Sequence, residues 1–293
     1  MKVSYGTTGN SGISAYNALA LVGSGLLYNG QPGIAPSTVG NDNLTWESMK
    51  TLNVGISTRV FDRFSVELEF YNRQTDDMLM GYPLSYTTGH GSSVENVASM
   101  RNRGFDITLG VDILKTRDFS WSVSGNLNYN KNEITKLFNG LDEYTLPDTG
   151  LKMKVGKPWG EYYYVRWAGV DPRDGYNTWY DKNGNLTKSY SEEEAVFVGK
   201  PRYAPWSGGF GTQFGWKGIS VSADFSFMLG QYMLNNERFF TENPTFAGSD
   251  NQTVEMLTMW QKPGDITRIA TPDSPMQFDT HLLENASFMR IKN

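Results

Sequence analysis

The chain has 293 residues, with 26 Lys and Arg against 31 Asp and Glu, a formal net charge of −5. Charges are dispersed rather than blocked, so no basic face exists for nucleic acid, which is excluded as a partner. With no Cys there is neither a disulfide framework nor thiolate chemistry. A mean hydropathy of −0.46, and no apolar run of about 18 residues, exclude transmembrane helices.

Aromatic content points the other way: 14% of residues, with 16 Tyr and 8 Trp, suits a chain whose rings sit at membrane interfaces. Met1-Lys2-Val3-Ser4-Tyr5-Gly6 lacks the apolar core of a signal peptide and reads as a strand over 1–8, so an exported chain opening this way is expected to be a portion of a longer one. Strands are predicted next over 46–60 and 64–79. Leu52, Val54, Ile56, Thr58 and Val60 share one face with Phe64, Val66, Leu68 and Phe70 across a turn at Phe61-Asp62-Arg63, because successive side chains of a strand point to opposite faces.

The pattern repeats over 100–114 and 119–133. Phe105, Ile107, Leu109, Val111 and Ile113 are followed by a turn at 115–118, then by Phe119, Trp121, Val123, Gly125, Leu127 and Tyr129. A third pair covers 207–216 and 219–230, with Phe210, Thr212, Phe214 and Trp216 joined through Lys217-Gly218 to Ile219, Val221, Ala223, Phe225 and Phe227; a two-residue turn containing Gly is a strong hairpin signal. A last strand begins near Ala286.

The turns at 61–63, 115–118 and 217–218 are short, whereas the connections over 9–45, 80–99, 134–206 and 231–285 are long. In an up-and-down arrangement all short turns fall at one end and all long loops at the other, as in outer-membrane barrels. The predicted fold is therefore all-β, an antiparallel transmembrane β-barrel segment with long extracellular loops. A soluble secreted β-sandwich that binds or hydrolyses carbohydrate is the alternative. The 134–206 excursion is expected to be structured, with a short strand at Tyr162-Tyr163-Tyr164-Val165, a turn at Asp171 to Gly175, and a hairpin of 177–180 with 186–188 around Asn183-Gly184.

Candidate sites are few. Asp181, Asn183 and Asn185 alternate oxygen ligands with Glu192 further on, yet Leu186 stands where a calcium loop needs Gly, so the expected feature is a hairpin turn and no metal. His90 and His281 lie in different loops with no nucleophile signature beside either. Asp76-Asp77 and Glu192 to Glu194 are sequence neighbours and form no acid/base pair. Neither a cofactor nor an enzymatic activity is expected. Arg59, Glu67, Glu69, Arg73, Asp106, Asp112 and Asp224 share the parity of the polar face and are expected to line a lumen, since Arg facing lipid at mid-depth costs about 2–4 kcal/mol. They contact a transported molecule, a plug, or one another by cross-strand pairing. The loop aromatics Trp159, Tyr162, Tyr163, Tyr164, Trp167, Trp179, Tyr180, Tyr203 and Trp206 either stack on sugars or peptide side chains or pack among themselves.

Several stretches carry a family resemblance. Asn41-Asp42-Asn43-Leu44-Thr45-Trp46-Glu47 followed by Asn53-Val54-Gly55 resembles the N-x-x-L-x-W-E…N-x-G element of SusC/RagA-type TonB-dependent outer-membrane transporters. Ser4 to Asn10, then Tyr71 with Thr75, Asp77 and Leu79, then Asn96 with Met100 to Asp106, are similar to it as well. Gly199-Lys200-Pro201, Pro205, Gly208-Gly209-Phe210 and Trp216-Lys217-Gly218-Ile219 follow, and Glu284 to Asn293 resembles E-N-A-S-F-x-R-L-K-N. Asp106 stands where Glu is usual and Trp216 where Tyr is usual. The resemblance implies that 1–293 is a C-terminal portion of a 22-stranded barrel, incomplete at both ends, in the cell outer membrane. It implies active import of glycans or peptides, with a SusD-like surface lipoprotein as partner and TonB acting through a region absent from this chain.

Overall fold

The structure is a computed structural model that describes residues 1–13, 16–145 and 152–293. Eight strands form one sheet in the order of the chain: β1 (Lys2–Asn10), β2 (Glu47–Val60), β3 (Phe64–Pro83), β4 (Ser92–Lys115), β5 (Phe119–Lys136), β6 (Trp206–Trp216), β7 (Ile219–Leu229) and β8 (Phe288–Ile291). Neighbours from β1 to β6 pair antiparallel. The sheet is open among the described residues, with β1 and β8 at its edges.

Turn chemistry sets the hairpins. Lys217 and Gly218 both take left-handed φ, 45° and 90°, the conformation that matches the twist of the flanking strands. Phe61 and Asp62 do the same at 53° and 52°, which is costly without Gly. Arg59 braces that turn by donating to the Asp62 carbonyl at 2.8 Å.

The register aligns the faces across strands. On one face Val54 lies opposite Phe70, Phe70 opposite Phe105, Phe105 opposite Tyr129, and Tyr129 opposite Trp206. In the next row of that face Ile56, Leu68, Ile107 and Leu127 are similarly in line. A bulge between Asp112 and Leu114 breaks the expected alternation: Leu114, not Ile113, lies opposite Trp121. A second bulge, between Thr75 and Leu79, carries Asp77 at φ 56°.

The chain divides into two compact units. The first holds residues 1–159, 206–227 and 289–293. It contains the sheet and a small core of Met80, Ala98, Ile134, Leu137 and Met153 near the loop ends of β3, β4 and β5. The second holds 160–205 and 228–288. Here Glu161–Tyr164 pairs with Val196–Pro201, Arg166–Val170 with Asn177–Tyr180, the latter with Leu186–Thr187, and Tyr232–Leu234 with Leu283–Asn285. One helix, α1 (Asn236–Thr241), joins Arg238 to this unit, and Val165, Trp179 and Ala195 form its core.

Thus the stretch 134–206 is split between the two units, and residues 146–151 of it lie outside the described residues. The connection over 9–45 contains a hairpin, Val22–Tyr28 with Gln31–Pro36. Its Asn29-Gly30 turn, with φ of 50° and 75°, is an ordinary hairpin signal, but Pro32 and Pro36 disguise the second strand. β4 likewise begins at Ser92, earlier than the alternation alone places it.

Candidate functional site

The polar face of the sheet is built from the residues that alternate with the apolar rows. Lys2 Nζ bridges Glu67 at 2.7 Å and Glu69 at 3.0 Å. Arg59 meets Asp112 at 3.2 Å, and Asp106 accepts from the Asn128 amide at 2.7 Å. The Arg73 guanidinium sits 4.6 Å from the centre of the Tyr71 ring. Asp224 projects over Gly211, where an added Cβ would lie 2.3 Å from its carboxylate oxygen. All seven charged candidates thus meet a named polar or aromatic partner or a glycine gap that accommodates them, and Glu67 and Glu69 share one. Lys2, which joins two of them, was not among the sequence candidates, though its pairing with Gly55 puts it on that face.

Amide side chains extend the network. Asn102 accepts from Asn130 at 3.1 Å and Asn132 at 3.0 Å. The Tyr71 hydroxyl donates toward Asn130 at 3.1 Å and accepts from Asn128 at 3.3 Å. Gly104 makes room for that hydroxyl: a Cβ there would sit 2.5 Å from it and 1.9 Å from the Tyr129 carbonyl. Between β4 and β7 the face holds a hollow of about 400 Å³, lined by Thr108, Ser124, Asn126, Gly211 and Asp224. A larger hollow of about 630 Å³ lies among Val66, Leu109, Leu127 and Phe210; its wall is apolar, and no charged group converges on it.

The motif residues form a clasp at the loop ends of β1 to β4. Asn96 accepts from the Thr45 amide at 2.8 Å and donates to the carbonyls of Thr45 at 2.9 Å and Asp77 at 2.8 Å. Asn41 donates to the Val94 carbonyl at 3.0 Å. Glu47 accepts from the Leu79 amide at 2.9 Å and from Asn10 at 2.8 Å. The Asp77 carbonyl and the Leu79 amide, backbone groups at the β3 bulge, gain side-chain partners this way.

The nine aromatic candidates separate by surroundings. Trp159 packs against the first unit's small core, its amide donating to Asn132 at 2.7 Å. Trp206 opens β6 on the apolar face, with its ring 4.5 Å from Tyr129 and 6.0 Å from Phe105. In the second unit, Tyr162 is buried and donates to the Tyr232 carbonyl at 3.2 Å. Tyr163 meets Phe197 edge-on at 5.0 Å, and Tyr164 lies 6.0 Å from Tyr162. Trp167 stacks flat on His281 at 3.8 Å and donates to Asn177 at 2.9 Å. Buried Trp179 donates to Asp279 at 2.6 Å. Tyr180 lies under the Arg166 guanidinium at 5.5 Å. Tyr203 and Trp206 are the two exposed members.

Beneath these rings lies a buried polar cluster with no signal in the local sequence. Arg238 pairs with Glu242 at 2.8 Å and Glu284 at 3.1 Å, and donates to the His281 carbonyl at 3.2 Å. Burial pushes Asp279 up to about 6, against the pull of hydrogen bonds from Trp179 and the His281 amide. Burial, then the cationic charges of Arg238 and Arg268, hold His281 down at about 3. Near the surface, Arg173 and Lys188 keep the Asp171 carboxyl well below the usual range. At 181–185 the Asp181 carboxylate accepts from the Asn185 backbone at 2.8 Å and its amide at 2.9 Å, closing a hairpin turn. No cluster of three metal-ligating side chains occurs among the described residues.

An antiparallel sheet with one apolar face edged by aromatic rings and one face of ion pairs and amides defines a segment of a membrane β-barrel wall. Residues 2–253 match the family model of the TonB dependent receptor-like β-barrel. The chain belongs to that family. It is 26% identical to TonB-dependent receptor P3 of Formosa agariphila, over all of this chain and 31% of that protein. Against TonB-dependent receptor SusC of Bacteroides thetaiotaomicron it is 28% identical over 86% of this chain and 26% of that protein. Among solved structures it superposes on the RagAB peptide transporter with a TM-score of 0.91 and 40% identity, over 99% of this chain and 33% of that one. The same importer in its closed-closed state gives 0.90 and 41%, again over 99% and 33%. The chain thus spans about a third of the length of these relatives. The family comprises transport receptors of the outer membrane, not enzymes, and a soluble sandwich is not the fold.

Proposed function

We propose that this chain is wall and loop of an outer-membrane importer that takes up oligopeptides under TonB control, acting with a SusD-like lipoprotein. The observation that carries it is 40% identity to the RagAB peptide transporter over 99% of the chain. The sorted faces support the membrane placement: the apolar rows meet lipid and the ion-paired face meets the lumen. Short turns then face the periplasm and long loops the exterior, so the loops are the surface that first meets a substrate. On the polar face Lys2, Glu67, Glu69, Arg59 and Asp112 are ion-paired and Asp106 is hydrogen-bonded to Asn128, which leaves a wetted wall along which a peptide passes without a deep electrostatic trap.

The test uses the full-length protein in its own bacterium. Deleting the gene should abolish growth on an oligopeptide mixture as sole amino-acid source while leaving growth on free amino acids intact, and deleting TonB should reproduce the defect. Growth lost on oligosaccharides but kept on peptides would reassign the substrate to glycans. Unchanged growth on both, or a full-length protein that fractionates as a soluble monomer without detergent, overturns import altogether.

A further inference from the structure

The apolar face does not stay apolar to the end of the strands. Its outermost aromatic row runs Phe70, Phe105, Tyr129 and Trp206, with consecutive centroids 6.2, 5.6 and 4.5 Å apart. One step further toward the loops the same face carries Asn72, Arg103 and Lys131, again directly opposite one another. The next row is Lys50, Gln74, Arg101 and Glu133. Each step is about 7 Å along a strand, so a cationic band follows the aromatic one immediately, on the outer side of the wall.

This band is unbalanced. Glu133 is shared by Arg101 at 3.3 Å and Arg103 at 3.2 Å, and Lys131 meets no carboxylate among the described residues. Lys50, in the same row opposite Gln74, is matched by Asp76 at 3.1 Å, so Arg101, Arg103 and Lys131 are three cations facing the one remaining anion. Arg103, with 47% of its side chain exposed, and Lys131 both present their charge to the surroundings. Arg101 Nε, shielded from solvent, has no protein partner. Aromatic rings at headgroup depth with cations just above them make a surface complementary to an amphiphile whose acyl chains lie below and whose negative charge lies at the interface.

Resting on the membrane placement proposed above, we infer that Arg101, Arg103 and Lys131 seat the phosphate of an anionic lipid headgroup in the outer leaflet, with the Phe105, Tyr129 and Trp206 rings against its acyl chains. Loss of Arg103 and Lys131 removes two interfacial cations, which weakens retention of a phosphorylated lipid by about thirtyfold.

The experiment uses detergent-purified full-length protein and lipid A, a bisphosphorylated acylated disaccharide, beside its enzymatically dephosphorylated form. Bound lipid is counted by native mass spectrometry. The wild type should retain the phosphorylated form and lose the dephosphorylated one, and R103Q/K131Q should lose both while keeping its folded mobility on unheated gels. Lys2→Gln, on the polar face, should retain lipid like the wild type. Equal retention of the two lipid forms by the wild type, or undiminished retention by R103Q/K131Q, overturns the seat. Failure of the membrane placement would show separately, as a wild-type protein that stays monomeric without detergent.

Discussion

In the wall, Lys2 holds Glu67 and Glu69 at 2.7 and 3.0 Å while its side chain stays 55% exposed, whereas in the loop unit Arg238 holds Glu242 at 2.8 Å with side chains 8% and 11% exposed. The same chemistry does different things in the two places. Wall pairs sit in water, where each contributes at most about 1 kcal/mol, and their effect is to keep a polar face orderly. The loop-unit cluster is out of water, so any member left alone carries its full desolvation cost. The wall is organised by its two media; the loop unit is organised by burial, like a small globular domain.

Substitutions can break that contrast. The largest effect is expected at Gly104→Val, which forces a Cβ to within 1.9 Å of the Tyr129 carbonyl and costs at least about 3 kcal/mol of overpacking. Full-length protein carrying it should fail to show heat-modifiable migration from the outer membrane. Gly6→Val, with nothing within 4 Å of its Cβ, should insert normally. Arg238→Ala strands buried Glu242 and should destabilise the loop unit by about 3–5 kcal/mol, read as accelerated proteolysis of 160–205 and 228–288 in a barrel that still folds. Leu68→Arg, in the row between Ile56 and Ile107, should cost about 2–4 kcal/mol in folding titrations with lipid vesicles.

The smallest effect sharpens the contrast through pH. Asp279 has a folded value of about 6 against an ordinary 3.8. Its contribution is therefore fully present below 3.8 and is lost as pH rises through 6. His281 has a folded value of about 3 against 6.5, so its contribution is present above 6.5 and is lost as pH falls toward 3. Between pH 6 and 4 the two slopes oppose one another. Hydrogen exchange of the loop unit should accordingly change little across that window in the wild type, and should accelerate steadily with acid in Asp279→Asn. A flat profile in the variant would show that His281 is not the opposing group.

The hairpins over 46–79, 100–133 and 207–230 could be read directly, because each rests on neighbours in the chain: a period-two alternation and a turn of fixed chemistry. The polar-face parity of Arg59, Glu67 and Asp112 was legible for the same reason. Their partners were less so, since the Arg59–Asp112 pair reaches from β2 across β3 to β4 and depends on the register of both pairings. The hairpin at 22–36 was missed although Asn29-Gly30 announces it, because two prolines obscure its second strand. The uses of the aromatics were least legible. Trp206 opens a wall strand beside Tyr129, while Trp167 and Trp179 meet His281 and Asp279 from a segment about a hundred residues away.

By itself, then, the sequence determined which side chains share a face, where the tight turns fall and that all long loops leave the sheet at one end. Those properties are local, and water and lipid sort residues on every strand independently. Only the tertiary structure decided that 160–205 joins 228–288 in one unit, that Arg238 and His281 meet, and that Arg103 and Lys131 align beyond the aromatic row. Contacts of that range depend on register and packing accumulated over several elements, and no periodicity within one element encodes them.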